Sequence, residues 1–435
     1  MAHETKTISR RGFVKTTGVL AGAPMIVPSS VLGQRAGAVA PSDRIVFGGI
    51  GIGSRGPASL ACILSYKDAR FVAVADVRET RREAIKSQVD RRYQNNDCAM
   101  YRTHEDLLAR DDIDGVLIAT GDRWHTPMSV LAAKAGKDIY CEKPCSMTIE
   151  ESYALADAVE RYGVVYQAGC QRRNGANFVW AVDMARGGKL GKLETLHANA
   201  GTRASWLPTT THNWLPPEPM PDKSVVDWDR WLGPSPWRPY HSAYVAGRWR
   251  GYFDFHGGGI LEWGSHTVDL TQWAADCDHT HAVEYQPLPE TAEGYRLDCQ
   301  YPNGIKLVMR DYGWMGMGTC SVRFEGDQGW VETGDGGKIA VSDNLKSELP
   351  PPMGDAFNLT LHYHWRNFIE CIKTRSTPRS NARSTANTHI TCHAAYIAWQ
   401  LGRKVTWDPA KGEFVNDAEA NRMRTREMRE PWRIV

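Results

Sequence analysis

The stretch Arg44-Ile45-Val46-Phe47-Gly48-Gly49-Ile50-Gly51-Ile52-Gly53-Ser54-Arg55-Gly56-Pro57 decides the fold of this chain. Its first half is a short apolar run with β-branched residues, the mark of a buried strand. Glycines follow at once. Pro57 sits where a first helical turn tolerates proline, and Ala58 to Tyr66 continues as helix. The next apolar run, Phe71 to Ala75, ends in Asp76, 20 residues past Gly56. Strand, glycine turn, helix, strand and acid in this order make a dinucleotide-binding Rossmann unit. Gly51, Gly53 and Gly56 permit a tight turn and close approach of backbone to a pyrophosphate, and the helix N-terminus offers N–H groups. Ile52, Ser54 and Arg55 belong to the same turn. Asp76, with Val77 and Arg78 behind it, is placed to bond the adenosine ribose. Its carboxylate repels the extra phosphate of NADP and so favours NAD, a preference that Arg78 tempers.

Strands and helices alternate onward from this unit. Gly115 to Thr120, Asp138 to Cys141 and Val164 to Gln167 read as strands. His125 to Ala135 and Thr148 to Tyr162 read as helices, the second with Thr148 as N-cap and Glu151 three residues on. Helical crossovers of this length imply a mainly parallel, doubly wound sheet.

The 435 residues carry 52 Lys+Arg against 50 Asp+Glu, a net of +2 that provides no basic field for nucleic acid. The ten cysteines include no Cys-x-x-Cys pair, so neither a zinc site nor a disulfide framework is expected, and no metal is assigned. Ser9-Arg10-Arg11-Gly12-Phe13-Val14-Lys15, followed by an uncharged stretch to Gln34, reads as a twin-arginine export signal occupying residues 1–40. The expectation is therefore export of a folded protein to the periplasm by the twin-arginine machinery.

Several motifs together resemble the glucose–fructose oxidoreductase / inositol dehydrogenase family (Gfo/Idh/MocA). Glu142-Lys143-Pro144 follows a strand preceded by Gly136-Lys137. Ala119-Thr120-Gly121-Asp122-Arg123-Trp124-His125 resembles the family's segment near the nicotinamide. Gln167-Ala168-Gly169-Cys170-Gln171-Arg172-Arg173 resembles the opening of its second domain. Gly258 to His266 resembles its G-G-x-x-x-D-x-G-x-H helix, with Glu262 in place of the usual Asp. The resemblance extends to the exported bacterial branch through Trp407-Asp408 and Glu430-Pro431-Trp432. It implies a Rossmann domain over 41–166, an α+β substrate and oligomerisation domain with a large, mostly antiparallel open sheet over 167–402, and a tail over 403–435 packed back on the body. It also implies a homodimer or homotetramer.

The same resemblance adds Thr120, Gly121, Trp124, His125, Glu142, Lys143 and Gln171 to the cofactor-binding residues, and Arg172 to the substrate site. Lys143 lies beyond a parallel strand, on the edge where open α/β sheets bind ligands. Glu262 and His266 are four apart and share one helix face, as pocket wall or as a surface pair. Neutral His266 is the expected base, Lys143 the group bonding the reacting oxygen, and Glu262 the residue orienting them.

Nine of the 16 tryptophans fall between 180 and 273, and eight prolines between 208 and 239. This insertion, set at 202–250, suits either a sugar site or packing. Trp206 and Trp249 within it, and Trp263 beyond it, are substrate candidates. The expected activity is NAD(P)-dependent oxidation of a sugar, sugar derivative or cyclitol, with the cofactor tightly bound. Two alternatives stay open: a glycosidase using NAD transiently, and a non-catalytic sugar-binding protein on the same frame.

Overall fold

The structure is a computed structural model, which describes residues 39–53, 55–201, 214–291, 294–310, 316–351 and 356–434. The export signal falls almost wholly outside the described residues, as do Ser54 and Trp206. The chain divides into two units, 1–44 and 45–435. The described part of the first holds one 3-10 turn, Pro41–Asp43. The second carries two sheets.

The first sheet has β1 (Ile45–Ile50), β2 (Ala69–Ala75), β3 (Ala99–Tyr101), β4 (Gly115–Ile118), β5 (Asp138–Cys141) and β6 (Tyr166–Ala168), all parallel, in the order β3-β2-β1-β4-β5-β6. The order reverses at β1, and an open α/β sheet binds ligands at such a reversal, off the strands' carboxyl ends. β3 went unseen in the sequence because three residues with only partial burial leave no apolar run. Helix α1 (Gly56–Ser65) starts directly behind the glycine turn. Helix α2 (His125–Lys134) follows β4, and α3 (Ile149–Tyr162) follows β5. At the start of α3, Thr148 Oγ1 accepts from Glu151 N (3.1 Å) while the Glu151 carboxylate accepts from Met147 N (2.7 Å). That reciprocal cap sets where the helix begins.

The second sheet has nine strands: β7 (Leu193–Asn199), β8 (Glu284–Thr291), β9 (Gly294–Gln300), β10 (Lys306–Arg310), β11 (Val322–Gly326), β12 (Gly329–Thr333), β13 (Ile339–Val341), β14 (Val405–Asp408) and β15 (Glu413–Phe414). Their order is β13-β12-β11-β7-β10-β9-β8-β14-β15. Only β7 with β10 is parallel. Leu297, Leu307, Val322, Phe324 and Val331 point from it into a core shared with α4 (Gly259–Ala274) and α6 (Ala382–Leu401). Helix α5 (Ala356–Thr374) lies on the first sheet instead. Trp365 stacks on Tyr140 at 4.1 Å and meets Phe47 edge-on. The C-terminal half of the chain thus contributes Trp365, Phe368 and Ile369 to the apolar core of the first sheet.

The aromatic insertion forms a small core of its own. Trp228 stacks on Trp231 at 4.6 Å and Trp214 on Tyr252 at 4.9 Å, around buried Tyr244 and Phe255. This core is tied to the Rossmann edge just beyond Asp76. Arg78 pairs with Val226 as an isolated antiparallel bridge. Glu79 N donates to Val225 O (3.0 Å), Asp227 N to Val77 O (3.0 Å), and Arg78 Nη1 to Val245 O (2.7 Å).

Candidate active site

A cavity of about 630 Å³ opens at the carboxyl edge of the parallel sheet. At one end Gly51, Gly53, Arg55, Asp76, Val77 and Arg78 line it. The glycine requirements are physical. Gly51 has φ +62°, and a Cβ there would lie 2.2 Å from Thr120 Cγ2. A Cβ on Gly56 would lie 2.4 Å from Ile52 Cγ2, so that glycine serves helix–strand packing, and fully buried Ile52 is its partner rather than a wall residue. A Cβ on Gly53 meets nothing of the protein closer than Ala119 O at 3.4 Å. It would occupy cradle space instead.

Asp76 Oδ1 accepts from Arg78 N (2.9 Å). Burial pushes the Asp76 carboxyl up to about 6, against the pull of that hydrogen bond and of the Arg78, Arg81 and Arg82 charges. Thr120 Oγ1 is buried beside the glycine turn with no hydrogen-bond partner among the described residues. The open cradle over Gly53, the α1 N-terminus, the acid at the end of β2 and this orphaned hydroxyl together fit a dinucleotide.

Gly121, Trp124, His125, Glu142, Lys143 and Gln171 continue the wall. Their roles divide. His125 is buried, its ring nitrogens facing Pro144 O (2.5 Å) and Thr120 O (3.2 Å). Trp124 donates Nε1–H to Arg230 O (2.9 Å) and packs on Trp432, so it holds the insertion and the tail while bordering the cavity. Glu142 accepts from Ser59 of α1 (2.9 Å) and lies 3.5 Å from Gln171 Nε2. The Lys143–Pro144 peptide is cis.

Arg172, Trp249, Trp263 and His266 line the other end. Lys143 Nζ donates to Glu262 O (3.2 Å) and sits 3.7 Å from Glu262 Oε1. Sequence reasoning missed three of the residues that complete this end. His256 donates to Glu262 Oε2 (2.7 Å) and lies 3.8 Å from Asp122. Arg250 Nε lies 3.5 Å from Glu262 Oε1. Asp335 clamps Arg172 through two hydrogen bonds, 3.1 and 2.7 Å. Only His256, in the run Asp254-Phe255-His256-Gly257 just ahead of the α4 motif, carried any local signal. Desolvation alone would raise the Glu262 carboxyl, but the His256 hydrogen bond and the Lys143, His256 and Arg250 charges hold it down at about 2. Glu262 is thus an anchored anion.

His266 is buried, and its pKa falls well below the usual imidazole value through desolvation and the nearby charges of Arg172, Lys143 and Arg55. It is neutral at pH 7. Its Nε2 already accepts from Arg172 Nη1 (3.1 Å), and its Nδ1 is enclosed without a partner among the described residues. The lone pair expected to take a substrate proton is engaged by a guanidinium.

Two family profiles match. Residues 45–170 fit the oxidoreductase family's NAD-binding Rossmann fold, and 188–434 fit its C-terminal alpha/beta domain. The chain belongs to the Gfo/Idh/MocA family. The fold of this Gfo/Idh/MocA protein is shared with the WlbA dehydrogenase of Bordetella pertussis, solved with NADH and UDP-GlcNAcA, at TM-score 0.62 and 18% identity over 84% of this chain and 98% of that one. It is shared also with an aldose-aldose oxidoreductase of Caulobacter crescentus, at TM-score 0.57 and 19% identity over 83% and 99%. Among curated proteins, a glycosyl hydrolase family 109 protein of Shewanella baltica is 29% identical over 218 residues, 44% of this chain and 45% of that protein. The match thus spans about half the length of this curated relative.

Proposed function

We propose that this Gfo/Idh/MocA protein is an NAD-dependent oxidoreductase acting on a sugar, sugar derivative or cyclitol. One observation carries the reading: the Lys143 ammonium, anchored by Glu262, shares a single cavity with the glycine cradle and Asp76. A nicotinamide, when bound, supplies hydride acceptance. Gly51, Gly53, Arg55 and the α1 N-terminus would hold its pyrophosphate, and Asp76 its ribose. Lys143 bonds the reacting oxygen and, having released one ammonium proton to solvent, takes the hydroxyl proton as the ring hydride leaves; His266 does not serve, because Arg172 occupies its acceptor nitrogen. Glu262, fixed by His256, aims the lysine. Trp249 and Trp263 line the cavity as apolar surface for a sugar ring. Asp76 favours NAD over NADP.

The family 109 relative supports a second reading. A glycosidase that oxidises, eliminates, adds water and reduces again would use the same cradle and lysine with no net cofactor turnover. Incubating the purified protein with aryl glycosides and no added NAD separates the two. Aglycone release supports hydrolysis, and stoichiometric NADH supports net oxidation.

Export through the twin-arginine pathway to the periplasm belongs to the same proposal. Free NAD is scarce there, so the dinucleotide must be held tightly from the cytoplasm onward, with a dissociation constant below about 1 μM, about 8 kcal/mol of binding. Replacing Arg10 and Arg11 with Lys should trap the protein in the cytoplasm. Freshly purified protein should show nicotinamide absorbance, and a dinucleotide-free preparation that takes up NAD only at millimolar concentration would sink the retention claim. A homodimer or homotetramer, checked by sedimentation, completes the proposal.

A further inference from the structure

The reacting end of the cavity holds a cation that neither the cradle nor the proton path uses. Arg250 lies on the wall, with its guanidinium carbon over the Trp249 ring, 4.4 Å from the ring centre. Its Nε lies 3.5 Å from Glu262 Oε1, the same oxygen that faces Lys143 at 3.7 Å. The other Glu262 oxygen is taken by His256 at 2.7 Å. One carboxylate therefore answers two cations, and neither reaches that oxygen at hydrogen-bonding distance. The Arg250 side chain is 48% exposed. Its Nη groups make no hydrogen bond to any other described residue.

The neighbouring charges do not fill this need. Asp335 is committed to Arg172 and Thr319. Asp122 accepts from Gly257 N behind His256 (3.1 Å). Glu142 faces Ser59 and Gln171 on the Rossmann side.

Resting on the sugar-oxidoreductase reading above, we propose that Arg250 recognises a carboxylate on the substrate, so that the substrate class is acidic pyranosides (uronic acids and their glycosides) rather than neutral hexoses. A planar guanidinium with a free pair of N–H groups matches a carboxylate through two parallel hydrogen bonds. The Trp249 ring beneath it holds that guanidinium before substrate arrives, which lowers the ordering cost of binding. Arg250 and Lys143 both approach one Glu262 oxygen, so a ring whose hydroxyl meets the lysine can place a substituent on the arginine. A neutral hydroxyl there leaves the surplus cation unmatched, and a carboxylate matches it.

The test uses the full chain carrying its dinucleotide. Methyl glycosides of glucose, galactose and mannose are titrated calorimetrically against the matched uronates and 6-sulfates, and nicotinamide absorbance reports turnover. At least one uronate should bind roughly tenfold to a hundredfold more tightly than its neutral counterpart. Arg250→Met, which keeps the stem, should bring that ratio close to one, with the change borne by KM. Arg250→Lys, which keeps the charge without the fork, should restore part of it. Neutral sugars binding as well as uronates, or an Arg250→Met variant with an unaltered ratio, overturns the proposal. The oxidoreductase reading then still stands if Lys143→Met abolishes turnover of the neutral sugar. Preference for the sulfate esters overturns the carboxylate assignment. If no sugar of any kind binds or reacts, the reading of the site falls and the proposal falls with it.

Discussion

The two ends of the cavity are built by different means. At the nucleotide end the backbone does the recognising: Gly51 supplies a positive φ, Gly53 leaves an open cradle and α1 presents its N-terminus. At the reacting end side chains do it, and they arrive from four separate stretches: Lys143, Arg172, the run from Arg250 through His256 and Glu262 to His266, and Asp335. A backbone site must be contiguous in sequence, whereas a side-chain site need only converge in space. Mutations should therefore act in different currencies at the two ends: retention at the first, turnover and specificity at the second.

The largest expected effect tests that division directly. Lys143→Met should lower kcat by about a thousandfold or more, in the range of a lost acid–base group, while the dinucleotide stays bound. A matching loss of nicotinamide absorbance would erase the distinction between the ends. Next comes the insertion that covers the nucleotide end. Trp228 is 3% exposed within its aromatic core, and Trp228→Ala should cost about 3–5 kcal/mol of local stability, read by hydrogen exchange over residues 214–258. Gly53→Val should leave the fold intact, because nothing of the protein crowds that Cβ, yet weaken dinucleotide retention by roughly a hundredfold, about 2.7 kcal/mol. Asp76→Ala should shift the NAD-to-NADP preference by about tenfold, about 1.4 kcal/mol, as the carboxylate leaves and Arg78 meets the added phosphate. An unchanged cofactor preference would show that Asp76 does not contact the ribose.

The smallest effect concerns acid. The folded state holds the Glu262 carboxyl at about 2, below its ordinary value near ~4.3. Its stabilising contribution is complete above that ordinary value and is lost as pH falls through the folded one. Glu262→Gln should thus melt below the parent at neutral pH, and the gap should close between about pH 4 and about pH 2. A gap constant across that window would mean that Glu262 is not held ionised.

The same contrast explains what the sequence revealed. Buried parallel strands are unbroken apolar runs, so β1, β2, β4 and β5 stood out, and the glycine turn with Asp76 gave the ligand class. Short β3 carried no pattern. The strands of the second sheet are half exposed: the alternation of Ile305 to Arg310 and of Ser321 to Glu325 is legible as strand and corresponds to β10 and β11, whereas that of β9 is easily confused with loop. His256, Arg250 and Asp335 were hidden for a plainer reason. An arginine or an aspartate in a loop looks alike whether it meets solvent or a cavity, and only the crossing of α4, the insertion and β12 separates the cases. The tryptophans were visible, but their division between core (Trp214, Trp228, Trp231) and wall (Trp249, Trp263) depends on a fold of the insertion that prolines alone do not dictate.

The bridge between Arg78 and Val226 has a consequence for the order in which the protein is made. The floor of the nucleotide end leaves the ribosome with the first hundred or so residues, but the segment seated on Arg78, with Val245 as its acceptor, comes some 150 residues later. A nascent chain halted before residue 214 presents an open cradle that exchanges dinucleotide freely. One that has passed residue 258 can close over it. Loading of the cofactor is then a timed event of synthesis. Stalled chains of the two lengths should differ in how slowly they release radiolabelled NAD, and equal release rates would show that the insertion does not close the cradle.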